Sequence, residues 1–160
     1  MARILIGLIA DTHGLLRPEA VAALQGCAHI VHAGDIGSRS GEPRGVLDTL
    51  AQIAPTTVVR GNNDRADWAT TIPYTADLEF ERVRIHVLHI LDELAIDPAA
   101  AGMHVVVSGH SHQPRVETRA GVLFVNPGSA GPRRFRLPVS VARLWLEDGY
   151  AEAELVTLLK

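Results

Sequence analysis

Histidine and aspartate occur in this chain in short motifs that could bind a metal ion. His110 and His112 lie one residue apart, directly after an apolar stretch. Asp11 and His13 have the same spacing after an apolar run near the N-terminus. In an extended segment, side chains at i and i+2 point the same way, so the histidine pair can direct two nitrogens to one place. Imidazole and carboxylate suit borderline divalent ions such as Mn, Fe, Co, Ni or Zn.

Three further polar motifs follow apolar runs and complete a set of candidate metal ligands. Asp35 follows Gly34, Asn62 follows Gly61, and His89 ends the next apolar run. Taken singly, such motifs are commonly turns or helix caps, but all five in order predict a metal centre. The candidate ligands are Asp11, His13, Asp35, Asn62, His89, His110 and His112. Seven donors exceed one tetrahedral site and suit two ions that share a carboxylate.

The apolar runs before these motifs predict strands that deliver the donors to one rim. In the first half of the chain, buried strands alternate with segments of helical spacing. The predicted strands span 3–10, 29–35 and 56–61, and the predicted helices span 18–26 and 44–54. This β-α-β-α-β order is typical of a parallel sheet covered by helices. Ligands of such sheets bind beyond the carboxyl ends of the strands, where the candidate donors lie.

The second half of the chain predicts antiparallel strands. Two strands around a tight turn are expected over 76–90, a short helical piece near 97–101 and a buried strand over 103–109. Hairpins are expected over 114–126 and 139–158, because Gly occupies the turn of each. Parallel and antiparallel strands in one short domain predict two sheets packed face to face, with helices outside.

Length and composition predict one domain over 1–160 and exclude several classes of protein. Apolar residues make up 47% of the 160 residues, charged residues 21%, and the net charge is −3, so no nucleic-acid or membrane surface is expected. The single cysteine, Cys27, suits a reducing compartment. The first apolar run stops at Asp11 without a cleavage site, so we expect a strand and a cytoplasmic protein. Hairpin edges could pair with a second copy in a homo-oligomer.

In order, the five motifs resemble the signature of the calcineurin-like metallophosphoesterases. The short chain and the segment 126–129, Asn-Pro-Gly-Ser, resemble the small YfcE-like phosphodiesterase branch of that family. The resemblance implies an α/β fold, the four-layer α/β/β/α sandwich of two mixed β-sheets flanked by helices that metallo-dependent phosphatases share. It also implies hydrolysis of a small phosphoester, with a diester expected, by in-line attack of a water or hydroxide that two metal ions share.

The resemblance implies which residues hold each ion. One ion is assigned to Asp11, His13, Asp35 and His112. The other is assigned to Asp35, Asn62, His89 and His110, so that Asp35 bridges the two. The two divalent ions are expected to be manganese, with nickel, iron, cobalt and zinc as the alternatives.

The chain departs from the family pattern at two positions. Many members carry histidine directly after the metal-binding asparagine, but this chain has Asn63, which can donate a hydrogen bond but cannot give up a proton usefully. The family usually has glycine after the histidine of the fourth motif, but this chain has Ile90. Ile90 requires a negative φ, so the backbone must leave this motif by a different path from that of the family. His86, whose side chain points to the opposite face of the strand, is therefore the alternative to His89.

Several further residues are candidates for roles around the metals. Asn63 and Asp64 are assigned leaving-group or supporting roles, and Asn63 and Arg133 are candidates for substrate binding. Arg134 and Arg136 share the loop of Arg133, where a solvent-exposed position is the alternative to a phosphate contact. Trp68 and Tyr74 could line a pocket for a base or an aryl group, or they could pack in the core. The remaining histidines and the cysteine are assigned packing roles: His29, His32, His104 and Cys27.

Two other functions remain open from the sequence. The first is a non-catalytic scaffold, because one eukaryotic sorting-coat subunit uses this fold as a binding surface. The second is a nuclease, which the negative net charge and the lack of a basic stripe disfavour.

Overall fold

Two five-stranded β-sheets and two α-helices make up the residues that the computed structural model describes, 3–37 and 44–159. The first sheet contains three parallel strands: β1 (Ile4–Ile9), β2 (His29–His32) and β3 (Thr56–Val58). Two long strands extend it on the other side of β1, β9 (Val139–Glu147) and β10 (Tyr150–Leu159), each antiparallel to its neighbour. The strand order is β10-β9-β1-β2-β3. The predicted β-α-β-α-β unit and the last hairpin both occur where the sequence placed them.

The second sheet has the order β4-β5-β6-β8-β7. Its strands are β4 (Thr75–Phe80), β5 (Val83–Leu88), β6 (Val105–Val107), β7 (Arg115–Arg119) and β8 (Val122–Asn126). The three central strands β5, β6 and β8 are parallel, and the two outer strands are antiparallel to their neighbours. Both sheets are therefore mixed, and each has parallel strands whose carboxyl ends can share one rim.

The two helices cover the outer face of the first sheet. They are α1 (Pro18–Ala23) and α2 (Arg44–Ile53). A Cβ atom at Gly7 in β1 would lie 2.6 Å from Leu24 Cδ2 and 3.0 Å from Cys27 Sγ, so glycine permits the close approach of the segment after α1. Cys27 is buried in this layer, as its packing role predicts.

The principal core lies between the two sheets. It consists almost entirely of aliphatic side chains, and Ile6, Leu8, Val87 and Leu144 in it are completely buried. Truncating one of the large members to alanine is expected to cost about 2–5 kcal/mol of folding free energy. The central strands β1, β2 and β6 read as continuous apolar runs because they are covered on both faces. This rigid double layer fixes the strand ends that carry the candidate donors.

The outer face of the second sheet is more thinly covered. A single 3₁₀ turn, Leu91–Glu93, lies beside a small apolar cluster that includes Val106. The helical piece predicted near 97–101 is a single turn, in which the N–H of Ala101 donates to the carbonyl of Asp97 at 2.9 Å. Gly102 has a φ of +78°, which ends the helical path after one turn. In the described part of the chain, no helix is long and apolar enough to cross a membrane.

Candidate metal centre

The seven candidate donors meet at the rim where the carboxyl ends of the two sheets face each other. Asp11 and His13 follow β1, Asp35 follows β2 and Asn62 follows β3; from the second sheet, His89 follows β5, and His110 and His112 follow β6. Contacts link all seven, directly or through a neighbour. The rim therefore brings together the whole predicted set.

Two groups of three donors are close enough to surround an ion. Asp11, His13 and His112 form one group, and Asp11, Asp35 and His89 form the other, with the ligand atoms of each group within 4.8 Å of one another. Asp11 is common to both groups. Asp35 Oδ2 lies 3.8 Å from His13 Nε2 and 3.3 Å from His89 Nε2, so this carboxylate also faces both sides of the cluster.

The hydrogen bonds of His89 show which atoms face its second ring nitrogen, Nε2. Nδ1 lies 2.7 Å from the carbonyl oxygen of Ala33, so Nδ1 carries a proton and donates it. Nε2 then faces only oxygens: Asn62 Oδ1 at 3.0 Å, Asp35 Oδ2 at 3.3 Å and Asp11 Oδ1 at 3.8 Å. A nitrogen lone pair directed at three acceptors is repelled unless a proton or a cation lies between them. The site is therefore arranged for positive charge.

Unpaired buried polar atoms concentrate in the same place. Asp11 Oδ1, His13 Nε2 and His112 Nδ1 are buried and have no hydrogen-bond partner in the described residues. Buried polar atoms in folded proteins are almost always paired. Three such atoms among clustered carboxylate and imidazole donors fit the ligand preferences of a divalent metal ion.

The electrostatics of the two carboxylates differ although they are neighbours. Burial raises the pKa of Asp11 to about 7, and the nearby charge of Asp35 adds to the rise, while His89 opposes it. Burial also acts against ionisation of Asp35, but hydrogen bonds from His89 and Asn63 outweigh it and hold the pKa of Asp35 below its ordinary value. Burial opposes protonation of His89, yet Asp35 and Asp11 raise its pKa overall. The cluster thus stabilises a positive charge between Asp35 and His89.

Five of the seven donors have a left-handed backbone, which is uncommon for residues other than glycine. Their φ values are 54° for Asp11, 46° for His13, 57° for Asp35, 71° for His110 and 62° for His112. Such conformations cost about 1–3 kcal/mol each and persist where the surrounding structure determines them. Sharp turns directly after the strands place these side chains on the rim instead of along the sheets.

The glycines before the donors are required by close contacts. Gly34 has a φ of +103°, and a Cβ atom there would lie 2.6 Å from His89 Nδ1. A Cβ atom at Gly61 would collide with the backbone nitrogen and the carboxylate of Asp35. These two positions therefore cannot carry a side chain without moving a candidate ligand.

Comparison with known proteins identifies the family of this protein. The calcineurin-like phosphoesterase superfamily domain matches residues 4–149. The chain belongs to this superfamily. It is 32% identical to a probable metallophosphoesterase of Methanothermobacter thermautotrophicus, over 95% of this chain and 91% of the relative. The resemblance that the motifs predicted is confirmed: the chain has the fold of the phosphoesterase hydrolases, and its rim holds candidate ligands for divalent metal.

Several solved structures have the same fold. The phosphoesterase YfcE of E. coli matches with a TM-score of 0.67 at 21% identity, covering 97% of this chain and 100% of YfcE. Vps29 of Chaetomium thermophilum matches with a TM-score of 0.76 at 21% identity, covering 98% and 99% of the two chains. The same Vps29 has also been crystallised with a cyclic peptide. The predicted fold class, with two mixed sheets, is confirmed.

Asp64 lies behind the metal-facing loops of this phosphoesterase. It is completely buried, and its two carboxylate oxygens accept four backbone N–H groups. Oδ2 accepts from Asp35 at 2.9 Å and Gly61 at 2.8 Å, and Oδ1 accepts from Ile36 at 3.0 Å and Gly37 at 3.4 Å. Burial raises the pKa of this carboxyl, although the N–H groups oppose the rise. Of the two roles predicted for Asp64, this geometry supports positioning, since it ties the Asp35 loop to the Asn62 loop.

Asn63 contacts Asp35 with two donors. Its backbone N–H donates to Oδ1 at 2.9 Å and its side-chain amide donates to Oδ2 at 3.0 Å. Both oxygens of the carboxylate are therefore oriented by one residue. The amide stands where many family members have histidine, and here it holds the carboxylate that the resemblance assigns as the bridge.

A buried polar network that the sequence did not predict orients the first two loops. His32 is completely buried and burial lowers its pKa to about 3, so it is neutral. Its Nδ1 accepts the N–H of Gly34 at 3.1 Å, so Nε2 carries the proton and donates to Thr12 Oγ1 at 3.0 Å. Thr12 donates in turn to the carbonyl of Ile36 at 2.8 Å. The packing role predicted for His32 holds, and its hydrogen bonds connect the Asp11 loop to the Asp35 loop.

The other histidines make separate contacts away from the donors. His86 Nδ1 lies 2.6 Å from Asp77 Oδ1 across the β4–β5 pair, so of the two rivals only His89 enters the cluster. Ile90 has a φ of −109°, as a β-branched residue requires. His29 pairs with Thr57 Oγ1 at 2.7 Å, and His104 Nδ1 accepts the N–H of Arg84 at 2.9 Å.

The arginine loop after the Asn-Pro-Gly-Ser segment sits beside the cluster. Ser129 donates to the carbonyl of Asp11 at 3.0 Å, which ties the segment to the first donor loop. Arg133 is exposed, and its Nε donates to the carbonyl of Leu137 at 3.3 Å. The charge of Arg134 opposes the rise in the pKa of Asp11 and adds to the lowering of the pKa of His13 and His112.

Proposed function

We propose that this chain is a cytoplasmic phosphodiesterase whose centre binds two divalent ions, manganese in the first place, and acts on a small phosphoester. The observation that carries the proposal is the convergence of seven donors, three of which have a buried polar atom without a hydrogen-bond partner in the described residues. Membership of the superfamily supplies the reaction class. When bound, the two ions would polarise the phosphoryl group and lower the pKa of a water ligand to about 7.

The residues that would hold the ions are those the resemblance assigns. Asp11, His13, Asp35 and His112 would hold one ion, and Asp35, Asn62, His89 and His110 the other. The grouping of Asp11 with His13 and His112 supports the first set, and the contacts of Asn62 with His89 and His110 support the second, although Asp11 also lies within reach of Asp35 and His89. The position of Asp35 Oδ2 between His13 and His89 supports its role as the bridge.

The chain's own groups would orient ligands and substrate. The hydrogen bond from His89 to the Ala33 carbonyl fixes the ring and its tautomer, as second partners of metal-binding histidines commonly do. Arg134 can place a guanidinium against a phosphoryl oxygen, where the charge of the reacting group increases. Asn63 can donate a hydrogen bond to a departing oxygen but cannot protonate it, which favours esters with good leaving groups.

The proposal is tested by hydrolysis and by metal content measured on the same protein. The protein is loaded with manganese, nickel, cobalt or zinc and assayed on bis(4-nitrophenyl) phosphate and on 4-nitrophenyl phosphate. We expect faster hydrolysis of the diester, two ions per chain by mass spectrometry, and loss of activity with chelator. One ion per chain, or a preference for the monoester, would contradict the proposal.

Two buried histidines of the same segment provide a matched pair of variants. His89→Ala is expected to abolish diester hydrolysis and to lower the metal content. His86→Ala removes an equally buried imidazole that pairs with Asp77, so activity per folded protein should be retained. Equal losses in the two variants would exclude a specific role for His89.

A binding protein without catalysis is the second candidate. The similarity to Vps29, one example of which carries a bound peptide, favours it. A protein that holds two ions per chain yet hydrolyses neither ester would support this candidate against the phosphodiesterase.

A further inference from the structure

A pocket opens beside the Asn62 and His89 side of the metal centre. Its volume is about 320 Å³, and its walls include Arg60, Tyr74 and Leu88 as well as the two donors. This volume lies within the range of small-molecule sites, about 300–1,000 Å³. Since two candidate ligands form part of the wall, a phosphoryl group at the centre would place one of its substituents in this pocket.

The far wall of the pocket pairs a guanidinium with an aromatic ring. Arg60 Cζ lies 5.0 Å from the centroid of the Tyr74 ring. Arg60 is held in place because its Nε donates to the carbonyl of Asp64 at 2.9 Å and its backbone N–H donates to the carbonyl of Pro73 at 2.7 Å. The pair therefore presents a planar and partly fixed surface to the pocket.

Tyr74 is accessible to a ligand. The residue is 64% exposed, so its ring can be reached from the pocket. Of the two aromatic residues that the sequence suggested for a pocket, Trp68 packs instead against the core under the helices. Tyr74 alone thus remains available to contact a planar group, and such a contact is tolerant of the exact ring because every aromatic has a π-face.

Ile90 separates this pocket from a second one. It lines both cavities, and the second, of about 230 Å³, extends past His110 to polar groups such as Ser111, Gln113 and Asn126. A phosphodiester has two ester substituents, and each cavity adjoins the centre on one side of Ile90. The second wall also contains Phe124, whose ring centroid lies 5.1 Å from Arg119 Cζ, but Phe124 is half-buried whereas Tyr74 is exposed to an incoming group.

We propose that the pocket of Arg60 and Tyr74 binds a planar aromatic ring carried by one ester substituent of the phosphodiester substrate, as in an aryl or a nucleoside ester, while the second pocket receives the other substituent. This assignment rests on the proposed phosphodiesterase function and specifies its substrate class. Tyr74 is a specificity-determining residue in this scheme, and it takes no part in bond cleavage.

Binding of two phosphonates tests the proposal without requiring turnover. Phenylphosphonate and cyclohexylphosphonate have rings of similar size, but only the first is planar and aromatic. We expect the manganese-loaded protein to bind phenylphosphonate about threefold to tenfold more tightly in calorimetry, the range of one aromatic contact. Tyr74→Ala should remove this preference, and Tyr74→Phe should keep it.

Tyr150→Ala is the matched control, because Tyr150 is 66% exposed and lies in β10 of the other sheet. It should leave the preference unchanged. Equal affinities for the two phosphonates in the wild type, or a phenyl preference that survives in Tyr74→Ala, would overturn the proposal. Phenyl preference without hydrolysis of bis(4-nitrophenyl) phosphate would refute catalysis alone and leave the aromatic pocket standing. Failure of both phosphonates to bind would refute the pocket and the phosphoryl site together.

Discussion

Replacement of Asp64 by asparagine tests whether one buried carboxylate holds the donor loops together. The change keeps the size of the side chain but turns one acceptor oxygen into an NH₂ group. Two of the four backbone N–H groups that point at Asp64 would then face a donor. These N–H groups cannot bond to water instead, because the Asp64 side chain beside them is completely buried.

The hydrogen-bond distances indicate which two bonds the asparagine would lose and how much folding free energy that loss costs. Oδ2 accepts the two shorter bonds, from Asp35 at 2.9 Å and Gly61 at 2.8 Å. Asparagine should therefore place its oxygen there and its NH₂ against Ile36 and Gly37, whose bonds are 3.0 and 3.4 Å long. An unsatisfied buried donor costs about 1–3 kcal/mol, so the loss of one good bond and one long bond is about 3 kcal/mol. For a chain of this size that lowers the Tm by about 6–12 °C.

Thermal unfolding followed by circular dichroism measures the effect on metal-free protein. Asp67→Asn is the control, because the same substitution three residues later changes an exposed side chain. It is expected to change stability by less than about 0.5 kcal/mol. If Asp64→Asn melts within about 2 °C of the wild type, or if both variants lose the same stability, Asp64 does not position these loops.

Further predictions concern the ligands and the charge beside them. Asp35→Asn should reduce diester hydrolysis more than His13→Ala does, because the bridging carboxylate serves both ions; equal losses in kcat would argue against the bridge. Arg134→Ala should lower kcat/KM about tenfold to a hundredfold, the value of one charged hydrogen bond, whereas Arg136→Ala should not. Equal losses in the Arg134 and Arg136 variants would exclude a specific phosphate contact by Arg134. The pKa of Asp11, about 7 without metal, means that protons compete with metal as the pH falls. Because a proton on His89, whose pKa is also raised, competes as well, calorimetry should show manganese affinity falling at least about tenfold per pH unit below pH 7, and a flat profile there would show that Asp11 is not a ligand.

The convergence of the donors was predictable from the sequence because strand polarity determines it. Apolar runs specify the parallel strands, and in such sheets polar residues directly after the strands share one edge. The bounds of β1, β8 and α2 follow from the same apolar patterns and differ from the prediction by only a few residues. The choice of His89 over His86 also agrees with the placement of the two rings on opposite faces of the strand.

Other features depend on contacts between distant segments and carry no local signal. Asp64 reads as a turn residue, and only the folded chain shows that it accepts N–H groups from the loop after β2. His32 reads as one more residue of a strand, yet its two nitrogens join two loops. The segment 97–101 was predicted as helical, but Gly102 ends its path after a single turn.

The left-handed backbone of five donors lowers the stability of the chain but places the candidate ligands on the rim. Glycine at any of those places would relax the backbone and delete a ligand in one step. Selection for thermostability alone would therefore favour loss of the ligands, whereas selection for turnover would keep both the ligands and their strained backbone. In other chains of this architecture, glycines at the equivalent turns are expected to mark descendants in which hydrolysis has been abandoned.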